Sequence, residues 1–176
     1  MPRQTAIRIT GLGGQGVISA GEILARAAIH DGLQAVQTQS YGAEARGSVA
    51  KSEVIISNQK IVCPIARKSD VLVVMNQTPL DENLKDLKEH GVLIVDQDIV
   101  QVSPSLKAEV FEVSATKTAE TDLGSKMRAN MVMLGALTKI TKIVTQSSME
   151  KAIEDGFSAG AAEKNIAAFR VGLGLI

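Results

Sequence analysis

Apolar and polar positions along the chain fall into two alternating rhythms. Residues 7–10 make a short run of strand type, and residues 14–30 place Val17, Ile18, Ile23, Leu24 and Ala27 or Ala28 at helical spacing. Asp31-Gly32 ends that helix, because a glycine just past the last turn accepts a left-handed backbone. Residues 33–38 read as a second, less apolar strand. Residues 49–57 and 60–63 are β-rich and joined by Asn58-Gln59, the pattern of a hairpin. Residues 71–75 (Val-Leu-Val-Val-Met) are apolar throughout, as in a strand covered on both faces. Thr78 then caps a helix with Pro79 at its first position, Asp81 and Glu82 near its positive end, and Gly91 at its close. Residues 92–95 form another buried strand, residues 98–106 an irregular loop, and residues 109–113 a last alternating strand. Residues 127–143 set Met127, Met131, Leu134 and Leu137 or Thr138 along one helical stripe, and helices over 148–156 and 161–171 follow.

This alternation predicts an α/β fold: a three-layer α/β/α, Rossmann-like domain with a mostly parallel sheet, a β-hairpin addition and a helical C-terminal third. The 176 residues contain no internal repeat or linker and read as a single domain, 1–176. Nineteen basic and nineteen acidic residues cancel, so net charge gives no support to nucleic-acid binding. No apolar run reaches the roughly 18 residues of a membrane span. Residues 1–5 lead into a strand without a signal-type apolar region, and the expectation is a cytoplasmic protein. Cys63 is the single cysteine, so one chain can build neither an internal disulfide nor a four-cysteine iron–sulfur or zinc site. Beside Pro64, it reads as a small apolar residue in a strand.

In open α/β sheets, ligands bind outside the carboxyl ends of the strands. Four segments should reach that edge: residues 11–16, 39–48, 76–78 and 96–98. The first, Gly11-Leu12-Gly13-Gly14-Gln15-Gly16, has G-x-G-x-x-G spacing, and Gly14 removes one more side chain. Backbone amides at a helix N-terminus bind anions, and a bare turn lets a phosphate approach. The same turn could simply pack a helix on a sheet. No Gly-Lys-Ser/Thr follows, which excludes a Walker loop. A dinucleotide enzyme places an acidic residue about 20 positions on, at the end of the second strand. Here Gln37 to Ser48 supply no acid at that strand end, but a lone Tyr41, two glycines, Glu44 and Arg46. Arg46 could grip a carboxylate or phosphate in bidentate fashion, or pair with Glu44 on a polar surface. Asn76 and Gln77 could donate amide hydrogen bonds at the same edge. Asp96 and Asp98 suit loop and cap duty better than a metal, and His30 and His90 suit helix ends.

Three stretches carry a resemblance: Gly-Leu-Gly-Gly-Gln-Gly-Val (11–17), Gln-Ser-Tyr-Gly-Ala-Glu-Ala-Arg-Gly-Ser (39–48) and Ser-Glu-Val-Ile-Ile-Ser (52–57). With Ser69-Asp70-Val71-Leu72-Val73, Met75-Asn76-Gln77 and Arg128-Ala129-Asn130-Met131-Val132, they resemble the gamma subunit of 2-oxoacid:ferredoxin oxidoreductases, most of all its 2-oxoglutarate type. The similarity covers nearly the whole chain. Ala43 stands where many relatives carry Pro, and Ser48 where Gly is frequent.

The resemblance implies a complex that converts a 2-oxoacid and coenzyme A (CoA) to an acyl-CoA and CO2 while reducing ferredoxin. Thiamine diphosphate and 4Fe–4S clusters would belong to alpha, beta and ferredoxin-like delta partners. This chain would hold no catalytic or metal-ligating residue, bind no cofactor covalently and be inactive alone. It would help admit CoA, with Gly11, Gly13, Gly14, Gln15, Gly16, Tyr41, Arg46, Ser48 and Asn76 as candidate contacts. The isolated chain could form a homodimer through surfaces meant for partners. Two alternatives stay open: a free-standing Rossmann-type nucleotide-binding oxidoreductase, and a purely structural subunit whose glycine turn only packs a helix.

Overall fold

The computed structural model describes residues 4–42, 47–103 and 106–176. Among them, six strands form one sheet: β1 (Gln4–Leu12), β2 (Gln34–Tyr41), β3 (Val49–Ser57), β4 (Ser69–Val74), β5 (Leu87–Asp96) and β6 (Glu109–Val113), in the spatial order β2-β3-β1-β4-β5-β6. β1, β4, β5 and β6 pair in parallel, whereas β3 runs antiparallel to both β1 and β2. The helices are α1 (Val17–His30), α2 (Gln77–Asn83), α3 (Ala115–Thr121), α4 (Ala129–Thr141), α5 (Gln146–Gly156) and α6 (Ala159–Gly174).

Strand alternation sorts side chains into two unequal cores. Ile7, Ile9, Val54, Ile56, Val71, Val73 and Ile94 face the larger one, with α1 and α3–α6 packed on it. Leu72, Val74, Leu93 and Val95 face the smaller one, closed by Leu80 of α2 and by Val100. The fold is therefore α/β with three layers, one of them thin. Helix α4 is buried along residues 129–138 because it lies between the sheet and α6. It meets α6 at two glycines: a methyl group on Gly135 would overlap the Phe169 carbonyl, and one on Gly172 the Val132 carbonyl.

On the thin face, Arg8 of β1 is only 4% exposed. Its guanidinium donates to Glu53 of β3 at 2.6 and 3.0 Å, to Asp86 at 2.7 Å and to Asn83 at 3.2 Å. A buried guanidinium needs such partners, and here they lock β1 and β3 to the last residue of α2 and the turn that follows it.

Several expectations are corrected. The antiparallel hairpin consists of β2 and β3, not of residues 49–57 with 60–63. β3 already has β1 and β2 on its two sides, so residues 60–63 find no free edge there. Cys63 is consequently exposed and outside any strand. β2 runs on to Tyr41, since Gln39, Ser40 and Tyr41 pair with Ser52, Lys51 and Ala50. Helix α2 starts at Gln77 with Asn76 at its N-cap, so Thr78 and Pro79 lie inside it, and it stops at Asn83. His90 and Gly91 belong to β5 and not to a helix end. The β4–β5 register slips there, His90 adopts φ +60°, and Gly91 lies against Leu87 and the Asp70 carbonyl. Met127 precedes α4 in a 3-10 turn (Lys126–Arg128) and is 79% exposed, whereas Met131, Leu134 and Leu137 are core residues. Helix α3 had no large apolar stripe to announce it; it buries only Ala115 and Ala119. Of the expected 98–106 loop, residues 104 and 105 lie outside the described residues.

Candidate functional site at the glycine turn

α1 leaves β1 toward the large core and α2 leaves β4 toward the small one, so the sheet's topological switch lies between β1 and β4. In a doubly wound sheet that crevice is where a nucleotide enters. Here a side chain spans it. Gln15 Oε1 accepts the Leu12 N–H at 2.6 Å, and Gln15 Nε2 donates to the Met75 carbonyl at 2.9 Å. Gln15 was a candidate ligand contact from sequence, yet both ends of its amide point inward to the backbone of the two strands. Gly11 is buried at the base of this arrangement, where a methyl group would press on Gln15 at 2.7 Å and Val17 at 2.9 Å.

The turn opens instead toward β3 and β2. The Gly13 N–H donates to the Ser48 carbonyl at 2.9 Å. Ser48, just before β3, thus joins the first motif to the second. Gly42 closes the base of the β2–β3 loop by donating to the Val49 carbonyl at 2.9 Å. Gly11, Ala50 and Tyr41 lie on one cross-strand row. Tyr41 is therefore two strand spacings, about 10 Å, from the start of the turn. Tyr41 is 61% exposed. Arg46, with Ala43, Glu44 and Ala45, lies outside the described residues.

Gly14 and Gly47 have φ of +95° and +72°, and a methyl group on either would meet nothing within 4 Å. Gly16, at φ +73°, is the N-cap of α1; no side chain caps that helix and no acidic residue occupies its first turn. Among the described residues no hydrogen bond uses the Gly14 or Gly16 amide, whereas Gly13 donates to Ser48 and Gln15 to Leu12. Among the described residues, the positive end of the α1 dipole thus has no side-chain cap and no acidic residue in its first turn. Asn130, for which the sequence pattern suggests no role, sits at this point. Its Nδ2 donates to the Gly16 carbonyl at 3.1 Å, and a methyl group on Gly16 would overlap it. Asn76 flanks the turn on the β4 side; its carbonyl accepts the Leu80 N–H, while its side chain makes no hydrogen bond to a described residue.

The other polar groups at this edge are occupied structurally. Asp96 is fully buried and accepts from both the amide and hydroxyl of Thr116. Burial pushes its carboxyl above the usual range, although those hydrogen bonds pull it back. Asp98 accepts from the Ser114 hydroxyl and the Lys117 amide, so the two carboxylates pin the start of α3. Among the described residues no group of three or more His, Cys, Asp or Glu side chains could hold a metal ion. No described helix is long and apolar enough to cross a membrane. Clefts of about 690 Å³ between α5 and α6 and about 670 Å³ at the amino edge of the sheet contain no residue of the turn. The turn forms a rim, exposed at Gly13 and Gly14, whose Gly14 and Gly16 amides carry no hydrogen bond to a described residue.

Comparison with known proteins bears on what meets that rim. The family described as pyruvate ferredoxin/flavodoxin oxidoreductase matches residues 6–175. The 2-oxoglutarate synthase subunit KorC of Methanocaldococcus jannaschii is 47% identical over 169 residues, which cover 94% of this chain and 90% of that one. The crystal structure of the keto/oxoacid ferredoxin oxidoreductase gamma subunit from Geobacter sulfurreducens superposes with a TM-score of 0.86 at 42% identity, covering 97% of this chain and 96% of that one. The 2-oxoglutarate:ferredoxin oxidoreductase from Magnetococcus marinus, solved with 2-oxoglutarate, coenzyme A and succinyl-CoA bound, matches with a TM-score of 0.88 at 25% identity. It covers 98% of this chain but 31% of that longer one. The chain belongs to the pyruvate ferredoxin/flavodoxin oxidoreductase family, as a gamma-type subunit of such an oxidoreductase.

Proposed function

We propose that this chain is the gamma subunit of a cytoplasmic 2-oxoglutarate:ferredoxin oxidoreductase, and that its glycine turn receives a phosphate of CoA. The substrate reading is supported by relatives named 2-oxoglutarate synthase subunits at 46–48% identity. In that reaction the bond between the carboxyl carbon and the 2-oxo carbon breaks and CO2 leaves. The remaining acyl group is oxidised onto the CoA sulfur, and the electrons pass to ferredoxin. Thiamine diphosphate and 4Fe–4S clusters are assigned to alpha, beta and delta partner subunits, and this chain contributes the CoA edge and part of the assembly surface.

The observation that carries the CoA reading is the Gly13–Ser48 hydrogen bond. It fuses two motifs, distant in sequence, into one rim where the Gly14 and Gly16 amides carry no hydrogen bond to a described residue, at a helix N-terminus without a side-chain cap. Arg46 and Tyr41 supply a cation and an aromatic face from the second motif. The nucleotide alternative loses support from topology: β3 separates β2 from β1, and Gln15 bridges the β1–β4 crevice.

The test is coexpression with the candidate partner subunits, followed by CoA titration of the purified complex. Copurification is expected, and Arg46→Ala should raise the apparent KM for CoA while leaving that for 2-oxoglutarate unchanged. A chain that stays alone beside fully active partners would sink the proposal.

A further inference from the structure

We propose that Gln15 and Asn130 are positioning residues for CoA: they act through the glycine turn and do not touch the ligand. This inference rests on the reading of the turn as the CoA edge. The turn is held at three points. Gln15 ties its beginning, at Leu12, to Met75 just past the end of β4. Asn130 ties its end, at the Gly16 carbonyl, to the first turn of α4. The Gly13–Ser48 bond ties its middle to the start of β3.

Each side chain uses both ends of its amide. Asn130 Oδ1 accepts its own neighbour's N–H, that of Met131, at 2.9 Å, which fixes the orientation of Nδ2 toward Gly16. Asn130 is 6% exposed, so the bond is sheltered from water. Gly16 has no room for a side chain because Asn130 fills that space. With the Gly16 carbonyl and the Leu12 amide engaged, the Gly14 and Gly16 amides are the donors of the turn that no described residue uses. Such preorganisation lowers the cost of binding an anion, since the donors need no rearrangement when it arrives.

Kinetics of the assembled complex, with Gly14→Ala as the comparison, test this. Gln15→Ala and Asn130→Ala should each raise the apparent KM for CoA about tenfold, the effect of one lost hydrogen bond, with kcat within about twofold. The KM for 2-oxoglutarate should not move. Asn130→Asp should not rescue, because a carboxylate has no N–H for the Gly16 carbonyl and adds negative charge at an anion site. In the free chain, NMR should show the Gly14 and Gly16 amide signals shifted by Asn130→Ala without any ligand. If the Ala variants melt cooperatively and those amide signals stay unmoved, the positioning role is overturned. If Gly14→Ala raises the KM for CoA and the two Ala variants do not, the CoA edge stands and the positioning role fails. If none of the three changes it, the CoA reading of the turn fails and takes this inference with it.

Discussion

Gly14 and Gly32 provide a matched pair for separating a binding role from a backbone role. Both have positive φ, +95° and +76°, and a methyl group on either meets nothing within 4 Å. Alanine at either site therefore carries backbone strain without a clash. A left-handed conformation costs an L-residue about 1–2 kcal/mol. Loss of unfolded-chain freedom returns about 0.4–1 kcal/mol. The net expectation is about 1 kcal/mol of destabilisation for each variant, or about 2–4 °C in Tm for a domain of this size. Their kinetic effects should differ. Gly32 ends α1, on the far side of the helix from the turn, whereas the Gly14 amide is a proposed donor to phosphate. Alanine keeps that N–H but puts a methyl group on the bare turn that the phosphate must approach; a charged acceptor held out of hydrogen-bond reach loses about 1.5–3 kcal/mol, so Gly14→Ala should raise the apparent KM for CoA about tenfold or more. Gly32→Ala should leave it unchanged. Differential scanning calorimetry of the free chain and CoA titration of the assembled complex supply the two readouts. Equal kinetic effects of the two variants, or none from either, would refute the reasoning.

Three substitutions probe the ion pairs and the Asp31 contacts. Arg8→Ala should cost about 3 kcal/mol in a denaturant titration, the lower end for a broken buried pair, because Glu53 and Asp86 can still reach water; Lys88→Ala, at an exposed pair with Asp70, should cost less than about 1 kcal/mol. Asp31 takes hydrogen bonds from the Thr145 amide and hydroxyl and from the Ser148 hydroxyl, tying the end of α1 to the start of α5. Burial acts to raise its carboxyl, but those bonds outweigh it and hold the pKa below 3.8. A carboxylate depressed in the folded state adds stability above its unfolded pKa and loses it as pH falls through the folded value. Asp31→Asn should thus destabilise by about 1 kcal/mol at neutral pH, as the loss of a cap does. That difference should shrink below pH 3.8.

The strands buried on both faces were legible because their apolar runs are continuous: Val71 to Val74 and Val92 to Val95 need no context to read as strands. That a helix follows the glycines was legible from the apolar spacing, although α1 begins at Val17 and not at Gly14. The antiparallel insertion of β3 was not, because pairing partners are set by which edges are free and not by local pattern. That same fact removed residues 60–63 from the sheet. Gly91 misled for a related reason: glycine serves a helix end and a strand irregularity equally well, and the β4–β5 register decided between them. At the site, the two motifs were visible but not the bond between them. Gln15 looked like a ligand contact because it sits within the fingerprint; only the position of Met75 shows that its amide is used internally. Asn130 lies 114 positions from Gly16, a pairing that no spacing rule reveals.

Reconstitution tests the CoA role of this chain most directly. Partner subunits should be purified with and without this chain, then assayed for CoA-dependent oxidation of 2-oxoglutarate coupled to ferredoxin reduction. The prediction is that turnover appears only when the chain is present, and that its CoA dependence weakens with Gly14→Ala. Full turnover without the chain, at an unaltered KM for CoA, would contradict it.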